Sequence, residues 1–329
     1  GARGIATKST EALRIASRQN FTTEIHNIIS KSETIKLGML NRLWVEKDYS
    51  WEKISSQLGD KLLEYYNANN KHVSKLKSSV YKNRNGNKLR IAHISTTGHK
   101  CGIGEYTLRL IDHLPKETTT NILVTCRASS NGSVSLQPDF KYTILEGWYY
   151  DDEAWSGSFI YPKLVEHLVD WNADGALVQF HTSFFSSTTL KEFVDSLLAE
   201  DINTSILIHK LNMSDLPIFA YLHGAGAKLL SHSHREVDAG RDYGINIMYL
   251  PIGVDQHINN SIKSIANRDW YATPPVIATT GFMRKHKGIP NLIYAVKLLQ
   301  RDFPGIKLVA LCSIYPSEDS QVALNMCME

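Results

Sequence analysis

The sequence has few of the features that mark several protein classes. Its 329 residues include only 4 cysteines, with no Cys-x-x-Cys pair, and only 10 prolines. Together with 43% apolar, 21% charged and 9% aromatic residues, these shortages exclude a disulfide scaffold, a collagen-like repeat and a disordered tail. No apolar run approaches the roughly 20 residues of a membrane span, and the first 20 residues lack the apolar core of a signal peptide. We therefore expect a globular, cytoplasmic protein with at most peripheral membrane contact.

Charge is nearly balanced overall but unevenly distributed. The net charge is +3, yet residues 1–90 hold 17 Lys and Arg against 8 Asp and Glu. Residues 71–90 carry seven basic side chains, no acidic one, and the turn-forming run Asn85-Gly86-Asn87. This composition predicts a linker at 81–88 after a mostly helical segment, 1–80. Tyr81 is the only aromatic residue in the basic stretch, so nucleic-acid binding is not expected.

An amphipathic helix is predicted after Ser50, a plausible N-cap residue. The residues that recur at three- and four-residue steps are Trp51, Ile54, Leu58, Leu62 and Tyr65. Such a helix needs a partner surface for its apolar face. A short strand is also expected near residues 4–7.

After the linker, short apolar runs alternate with helical patterns. The predicted strands are 89–94, 122–126, 142–145, 176–180, 206–208, 218–222, 228–231 and 247–250, with helices expected between several of them. Continuous apolar strands joined by helices indicate an α/β fold, a Rossmann-like doubly wound parallel sheet over residues 89–255. Ligands bind such sheets at the carboxyl ends of the strands.

A second unit begins near residue 274. A strand at 276–281, a helix at 291–303 and a strand at 306–312 make one βαβ unit. This unit is too small to close a core alone, so 274–329 is interpreted as the start of an incomplete second domain.

The sharpest local motif follows the first strand, at residues 96–106. Gly102 and Gly104 would let the backbone approach a ligand, and a helix starting near Ile103 would favour an anionic group. The next strand ends in Cys126-Arg127, where a nicotinamide-binding protein would carry an acidic residue, so that cofactor is disfavoured. A tight turn without a ligand is the alternative.

His181 and His209 directly follow two predicted strands. A histidine there faces the crevice of a doubly wound sheet, where it can orient a hydroxyl or stabilise charge. His223, His232 and His234 are clustered in sequence, but no Asp, Glu or Cys constellation accompanies them, and we expect no metal site there.

A basic loop spans residues 281–289 and includes Arg284 and Lys287. Concentrated cations beside glycines suit a diphosphate, because each cation can contact a separate phosphate oxygen. A solvated loop is the alternative.

In this order, the motifs resemble the retaining GT-B glycosyltransferases of the group 1 (family 4) type. The similar segments are 90–95 with 101–107, 206–209, 250–255 and 281–288, so the resemblance covers residues 88–316. It implies transfer of a sugar, with retention and without an obligatory metal, from a nucleotide diphosphate sugar to a carbohydrate or glycolipid acceptor. His209 would be the catalytic residue, and the substrate-binding residues would be Gly102, Gly104, Glu105, His181, Arg284 and Lys287.

Two departures accompany this resemblance. Phe282 stands where the family often has an arginine, and Arg284 is the substitute we consider. The family's Glu-x7-Glu pair, which handles the donor, would fall beyond residue 329, so we expect little or no transfer by this sequence alone.

Residues 1–80 resemble the end of the same kind of protein, whose final helix crosses back to the first domain. The segments 4–8 and 47–54 carry this similarity. The chain is thus interpreted as the tail of one unit joined to the head of another, with an unrelated helical extension as the alternative. Two other functions remain open for the whole: a Rossmann-type dehydrogenase or epimerase, and a carbohydrate or sugar-nucleotide binding module without catalysis.

Overall fold

The computed structural model describes residues 21–30, 45–70, 88–96, 101–117, 119–127, 143–149, 159–160, 163–182, 184, 186–253, 275–314 and 318–328. These residues belong to two compact units. The first unit lies within Asp48–Asp255, and the second contains residues 21–30, 45–47 and 275–328. The strand expected near residues 4–7 and most of the basic linker lie outside the described residues.

The first unit alternates strands and helices along the chain. After a helix α2 at Trp51–Asn70, its elements are β1 Leu89–Ile94, α3 Gly102–His113, β2 Thr119–Arg127, β3 Thr143–Tyr149, β4 Phe159–Ile160, α4 Leu164–Asp170, β5 Gly175–Phe180, α5 Ser187–Ala199, β6 Asn203–Ile208, α6 Leu216–Gly224, β7 Lys228–Ser231, α7 His234–Asp242 and β8 Ile247–Tyr249. A single 3-10 turn, Met213–Asp215, precedes α6.

The strands form one sheet in the order β4-β3-β2-β1-β5-β6-β7-β8. All neighbouring pairs are parallel except β3 and β4, which are antiparallel. The prediction of an α/β fold with a doubly wound parallel sheet is confirmed at this level. β1 lies at the centre, and the chain builds outward from it in both directions, so β1 and β5 flank the point where the strand order reverses.

Both faces of this sheet are covered, which is why its strands are continuously apolar. One face packs against α4, α5 and α6, with Phe180 of β5 and Phe219 of α6 in edge contact at 5.3 Å between ring centroids. The other face packs against α2 and α3, through Leu177 and Leu207 of neighbouring strands. Side chains of successive strand residues alternate between these two clusters.

The predicted strand at 218–222 is wrong, because these residues belong to helix α6. Its buried residues, Leu216, Phe219 and Leu222, recur at three-residue steps and therefore lie on one face. Pro217 in the first turn suits a helix start, since its missing N–H would have no intrahelical partner there. A short apolar run does not distinguish a buried strand from a buried helix by periodicity, and that ambiguity produced the error.

Helix α2 confirms the amphipathic prediction and finds its partner surface on the sheet. The Ser50 hydroxyl accepts a hydrogen bond from the Lys53 amide at 3.3 Å, as an N-cap does. Trp51, Ile54 and Leu58 are buried, the last two completely. The Trp51 ring packs on Tyr106 of α3 at 5.2 Å between centroids.

The second unit is a small βαβ arrangement with additional helices. It contains α1 Phe21–Ser30, β9 Val276–Phe282, a 3-10 turn at Lys285–Lys287, α8 Ile289–Leu299, β10 Lys307–Ser313 and α9 Glu318–Met328. β9 and β10 are parallel, as predicted, and the intervening helix begins and ends earlier than the predicted 291–303. Ile25 and Ile29 of α1 pack on a cluster with Val296 of α8.

Among the described residues, no helix combines the length and apolarity needed to cross a bilayer.

Candidate functional site

The carboxyl ends of β1, β5, β6 and β7 meet at one edge of the eight-stranded sheet. This edge includes the switch point between β1 and β5, where doubly wound folds bind ligands. Three histidines come directly after three neighbouring strands there: His181 after β5, His209 after β6 and His232 after β7. His209 is fixed at the sheet edge because its amide donates to the Phe180 carbonyl at 2.9 Å.

Strand alternation places these side chains with those of the face covered by α2 and α3. Leu207 and Leu230 pack in that cluster, and His209 and His232 lie two residues beyond them. Gln179 of β5 likewise lies two residues beyond Leu177, and it is fully buried. The polar residues thus continue the apolar rows of the core up to the ligand-binding edge of the sheet.

Helix α3 contributes an aromatic ring to the same cluster. The centroid of the Tyr106 ring lies 4.8 Å from that of His232 and 5.6 Å from that of His209, in edge contacts. The two imidazole centroids are 5.1 Å apart. We refer to Tyr106, Gln179, His209 and His232 as the imidazole cluster.

Hydrogen bonds fix the orientation of both rings. His209 Nε2 is 2.7 Å from Gln179 Oε1, and His232 Nδ1 is 2.6 Å from the Leu250 carbonyl oxygen. Since a carbonyl only accepts, Nδ1–H of His232 is the donor and its Nε2 carries the lone pair. Within the described structure this buried Nε2 has no hydrogen-bond partner, and neither have Tyr106 Oη and Gln179 Nε2.

Burial keeps the imidazoles of this edge neutral near pH 7. Burial lowers the pKa of His232 to about 4, although its bond to the Leu250 carbonyl acts in the opposite direction. Burial, followed by the nearby His232 and His181, holds the pKa of His209 well below its usual value. The pKa of His181 is also lowered, first by burial and then by Lys210. A neutral imidazole can donate one hydrogen bond and accept another, which suits recognition of a hydroxyl.

The start of α3 lies beside the end of β1. A chain of hydrogen bonds joins them: Ser95 Oγ is 2.7 Å from Thr107 Oγ1, which donates to the Ile103 carbonyl at 2.9 Å. No side chain caps the helix at Cys101 among the described residues, which omit 97–100. The first amides of any helix lack an intrahelical acceptor, and the helix dipole favours an anionic group at this end.

The two glycines of this segment have different surroundings. A Cβ on Gly104 would lie 2.2 Å from the Thr96 carbonyl oxygen, so glycine is what lets α3 approach β1. A Cβ on Gly102 would meet no atom of the described residues within 4 Å. Gly104 therefore has a packing role, and Gly102 leaves open space at the helix terminus.

The other predicted site residue of α3 lies on the surface of the protein. Glu105 forms an i,i+4 ion pair with Arg109 at 3.0 Å, and both side chains are exposed. The structure thus brings His181, His209 and Gly104 to the same sheet edge, and places Glu105 on the outer surface of α3.

The basic loop of the second unit connects β9 to α8. Gly281 and Gly288 have φ values of +126° and +69°, which favour glycine. Between them, Met283 is buried, Arg284 is half-buried and Lys287 is exposed. The Lys287 amide donates to the Arg284 carbonyl at 2.9 Å, closing the single 3-10 turn.

The histidines considered as a metal cluster separate in the structure. His232 packs in the imidazole cluster, whereas His234 stacks on Tyr249 at 3.8 Å between centroids. Across the described ranges, no group of three or more His, Cys, Asp or Glu residues is arranged to hold a metal ion.

Sequence reasoning did not assign a site role to Gln179, His232 or Tyr106. A signal was present for the first two, since each is a polar residue in or directly after a buried apolar strand, in step with the apolar residues of one face. His232 was grouped with its sequence neighbours instead of with its strand.

No protein-family model matches this chain, and no curated protein shows significant similarity to it.

Proposed function

We propose that this chain belongs to a nucleotide-sugar-dependent glycosyltransferase. It would transfer a sugar, with retention of configuration and without an obligatory metal, to a carbohydrate or glycolipid acceptor. The observation that carries this proposal is the row of histidines at the carboxyl ends of neighbouring strands, in contact with the first turns of α3 through Tyr106, next to the switch point of a parallel sheet. Hydroxyl-binding and anion-binding groups side by side suit a sugar attached to a phosphate.

His209 is the residue proposed to contact the reacting sugar. It is half-buried, held at the sheet edge by its amide, and neutral because burial lowers its pKa. A neutral imidazole orients a hydroxyl without placing a fixed charge beside the carbon where positive charge develops in glycosyl transfer. His181 would assist from the neighbouring strand, and Gly102 leaves room for an acceptor at the helix terminus.

The loop of the second unit is proposed to hold the diphosphate. Lys287 is exposed, and Arg284 lies at the start of the same short turn. Diphosphate departure develops negative charge, which preorganised cations stabilise more in the transition state than in the ground state. Phe282 still occupies the position where the family often has an arginine, and we propose that Arg284 takes that role.

The N-terminal helices support the interpretation of residues 1–80 as the tail of a similar unit. α2 covers one face of the first unit's sheet, and α1 packs against α8 and the end of the loop before β10 in the second unit. Helices that precede β1 in the chain therefore pack on elements that follow it. This packing is expected if residues 1–80 correspond to the C-terminal end of a similar glycosyltransferase, whose final helix crosses back to its own first domain.

A nicotinamide-dependent dehydrogenase is the less favoured enzyme class. β2 extends to Arg127, so the position where an acidic residue would hold a ribose lies at its end and carries Cys126-Arg127. A fluorescence titration with reduced nicotinamide cofactor tests this class directly, and saturable binding would favour it over sugar transfer.

The test of the proposed function uses protein expressed from the complete reading frame. Release of nucleoside diphosphate is measured with UDP-, GDP- and ADP-sugars, with and without carbohydrate or glycolipid acceptors. We expect acceptor-dependent release with at least one donor, and a loss of about 100-fold in Lys287→Ala, the scale seen when one electrostatic stabiliser is removed. Lys297→Ala, an exposed lysine near the end of α8, is the matched control and should retain activity.

Two outcomes would contradict this proposal. Unchanged turnover in Lys287→Ala would remove that residue from the site. Saturable binding of a sugar nucleotide without release, by protein from the complete reading frame, would instead support a binding module without catalysis.

A further inference from the structure

We propose that Gln179 is a positioning residue that holds His209 in its Nε2–H tautomer. In this tautomer Nε2–H donates to Gln179 Oε1 at 2.7 Å, and Nδ1 keeps the lone pair that can accept a hydrogen bond from a ligand hydroxyl. A role for this tautomer in sugar transfer rests on the function proposed above, whereas the tautomer itself does not.

The position of Gln179 explains why it can fix the ring. It is the fifth residue of β5 and fully buried, so its side chain has no solvent to turn toward. β5 and β6 pair in parallel with Gln179 opposite Leu207, two residues before His209. The His209 amide is bonded to the Phe180 carbonyl, so the backbone of both partners is held by the same strand pair.

The chemistry of the partner explains why it is an amide. A carboxylate at this distance would stabilise the imidazolium and raise the pKa of His209, whereas an amide oxygen accepts the same hydrogen bond without a charge. Among the described residues, the titratable groups that contact the His209 ring or shift its pKa are His181 at the end of β5, His232 at the end of β7 and Tyr106 on α3, with Lys210 next to it in sequence. Glu236 of α7 lies at the same sheet edge, where its carboxylate bonds the Leu211 amide and the Ser231 hydroxyl. No carboxylate is among the groups that contact the ring or shift its pKa in the described structure, so the neutral ring is the form that this environment favours.

A second histidine of the first unit, His93, also bonds an amide oxygen, but only His209 has exposed surface for a ligand. His93 lies on the same face of β1 and has a similar amide partner, Asn121 Oδ1 at 2.9 Å. His93 is completely buried, with no exposed surface for a ligand, whereas His209 is half-buried at the sheet edge. The His93–Asn121 pair therefore provides an internal reference that ligand and Gln179 variants should leave unchanged.

The experiment is nitrogen-detected NMR of the histidine rings in the full chain, with His209 assigned by the loss of its signals in His209→Asn. In the wild type at pH 7 we expect a protonated Nε2 and an unprotonated Nδ1. In Gln179→Glu the midpoint of the His209 titration should rise by about 1–3 pH units, the usual effect of an adjacent opposite charge. In Gln179→Met, which keeps the length of the side chain but cannot accept, the ring should populate both tautomers.

The control and the contrary results are defined by the same spectra. Unchanged His93 signals show that the variants are folded, and a variant that loses them is replaced by Gln179→Leu. An Nδ1–H tautomer in the wild type, or a His209 titration unaffected by Gln179→Glu, would overturn the proposal. If the protein transfers sugar, Gln179→Glu should also shift the acidic limb of the pH profile of kcat to higher pH, by as much as the midpoint of the His209 titration. Absence of transfer with the expected tautomer would count against the proposed function alone.

Discussion

The two sheets of this protein are built from similarly apolar strands but are buried to very different extents. Every residue of β6 except Asn203 is buried, whereas β9 and β10 contain no buried residue. Leu207 of β6 has no exposed surface, and Leu311 of β10 is 67% exposed. A parallel sheet is stable when helices cover both faces, and the larger sheet meets that condition. Strand composition therefore predicts pairing, while the number of covering helices decides how much each strand stabilises the fold.

Fully or nearly buried histidines occur in the first unit, beside exposed ones such as His167. In the first unit, His93 and His232 are buried, and burial lowers the pKa of each to about 4. In the second unit, His26 is partly exposed and lies 3.7 Å from Asp302. Burial of His93 and His232 thus makes the stability of the first unit sensitive to acid.

The largest expected effect comes from truncating the same residue type in each sheet. Leu207→Ala should lower the free energy of unfolding by about 2–5 kcal/mol, because it leaves a cavity in a core without exposed surface. Leu311→Ala removes a mostly exposed side chain and should change it by less than about 1 kcal/mol. Urea unfolding followed by hydrogen exchange in each unit measures both, and equal losses would show that the two sheets are equally covered.

The glycines at the start of α3 provide a comparison within the first unit. Gly104→Ala places a methyl group against the Thr96 carbonyl and should cost about 1–3 kcal/mol, as overpacking does. Gly102→Ala meets open space and should be neutral or slightly stabilising, since alanine restricts the unfolded chain. Thermal unfolding of both variants measures the difference, and a tolerated Gly104→Ala would show that α3 can move away from β1.

Acidification should destabilise the first unit more than the second. The unfolded chain binds a proton at a histidine below about pH 6.5, but folded His93 does so only near its pKa of about 4. The unfolded state then holds more protons, so stability falls as the pH drops from about 6.5 to about 4, by about 2 kcal/mol per such histidine at pH 5.

The measurement compares urea unfolding at pH 7 and pH 5. His93→Gln keeps a neutral partner for Asn121 and should shrink the difference between the two pH values by about 2 kcal/mol. His167→Gln removes an exposed imidazole and serves as the control. A difference that survives His93→Gln intact would assign the acid sensitivity to other groups.

The smallest expected effect tests the N-cap of α2, the helix that covers one face of the larger sheet. Ser50→Ala removes the acceptor of the Lys53 amide and should cost about 1 kcal/mol. Ser196→Ala, in the interior of α5, removes a hydroxyl bonded to the Glu192 carbonyl and should cost less, because alanine favours helix. Chemical unfolding measures both, and equal costs would show that the cap contributes nothing specific.

Much of the fold could be predicted from periodicity. The strands of the first unit other than β4, and helices such as α2 and α5, follow from apolar spacing and caps. The error at α6 arose because the helix has no polar face in the sequence: only Leu216, Phe219 and Leu222 are buried, but its exposed side carries Pro217 and Tyr221. The site was predicted less completely. The positions of His181 and His209 after strands predict that they lie at the sheet edge, where the structure places them. The contacts of Gln179 and Tyr106 with His209 join different elements, and a single strand or helix does not reveal them.

Apolar strands alternating with helices predict the parallel sheet, its carboxyl edge and the places of His181 and His209 at that edge, because these follow from chain order and strand periodicity. Packing of the folded chain sets which helices cover each face of the sheet, which residue bonds His209, and how far burial lowers the pKa of its ring. The physical reason is that burial and hydrogen-bond partners come from residues distant in the chain: Gln179 is 30 positions from His209, and Leu250 is 18 positions from His232.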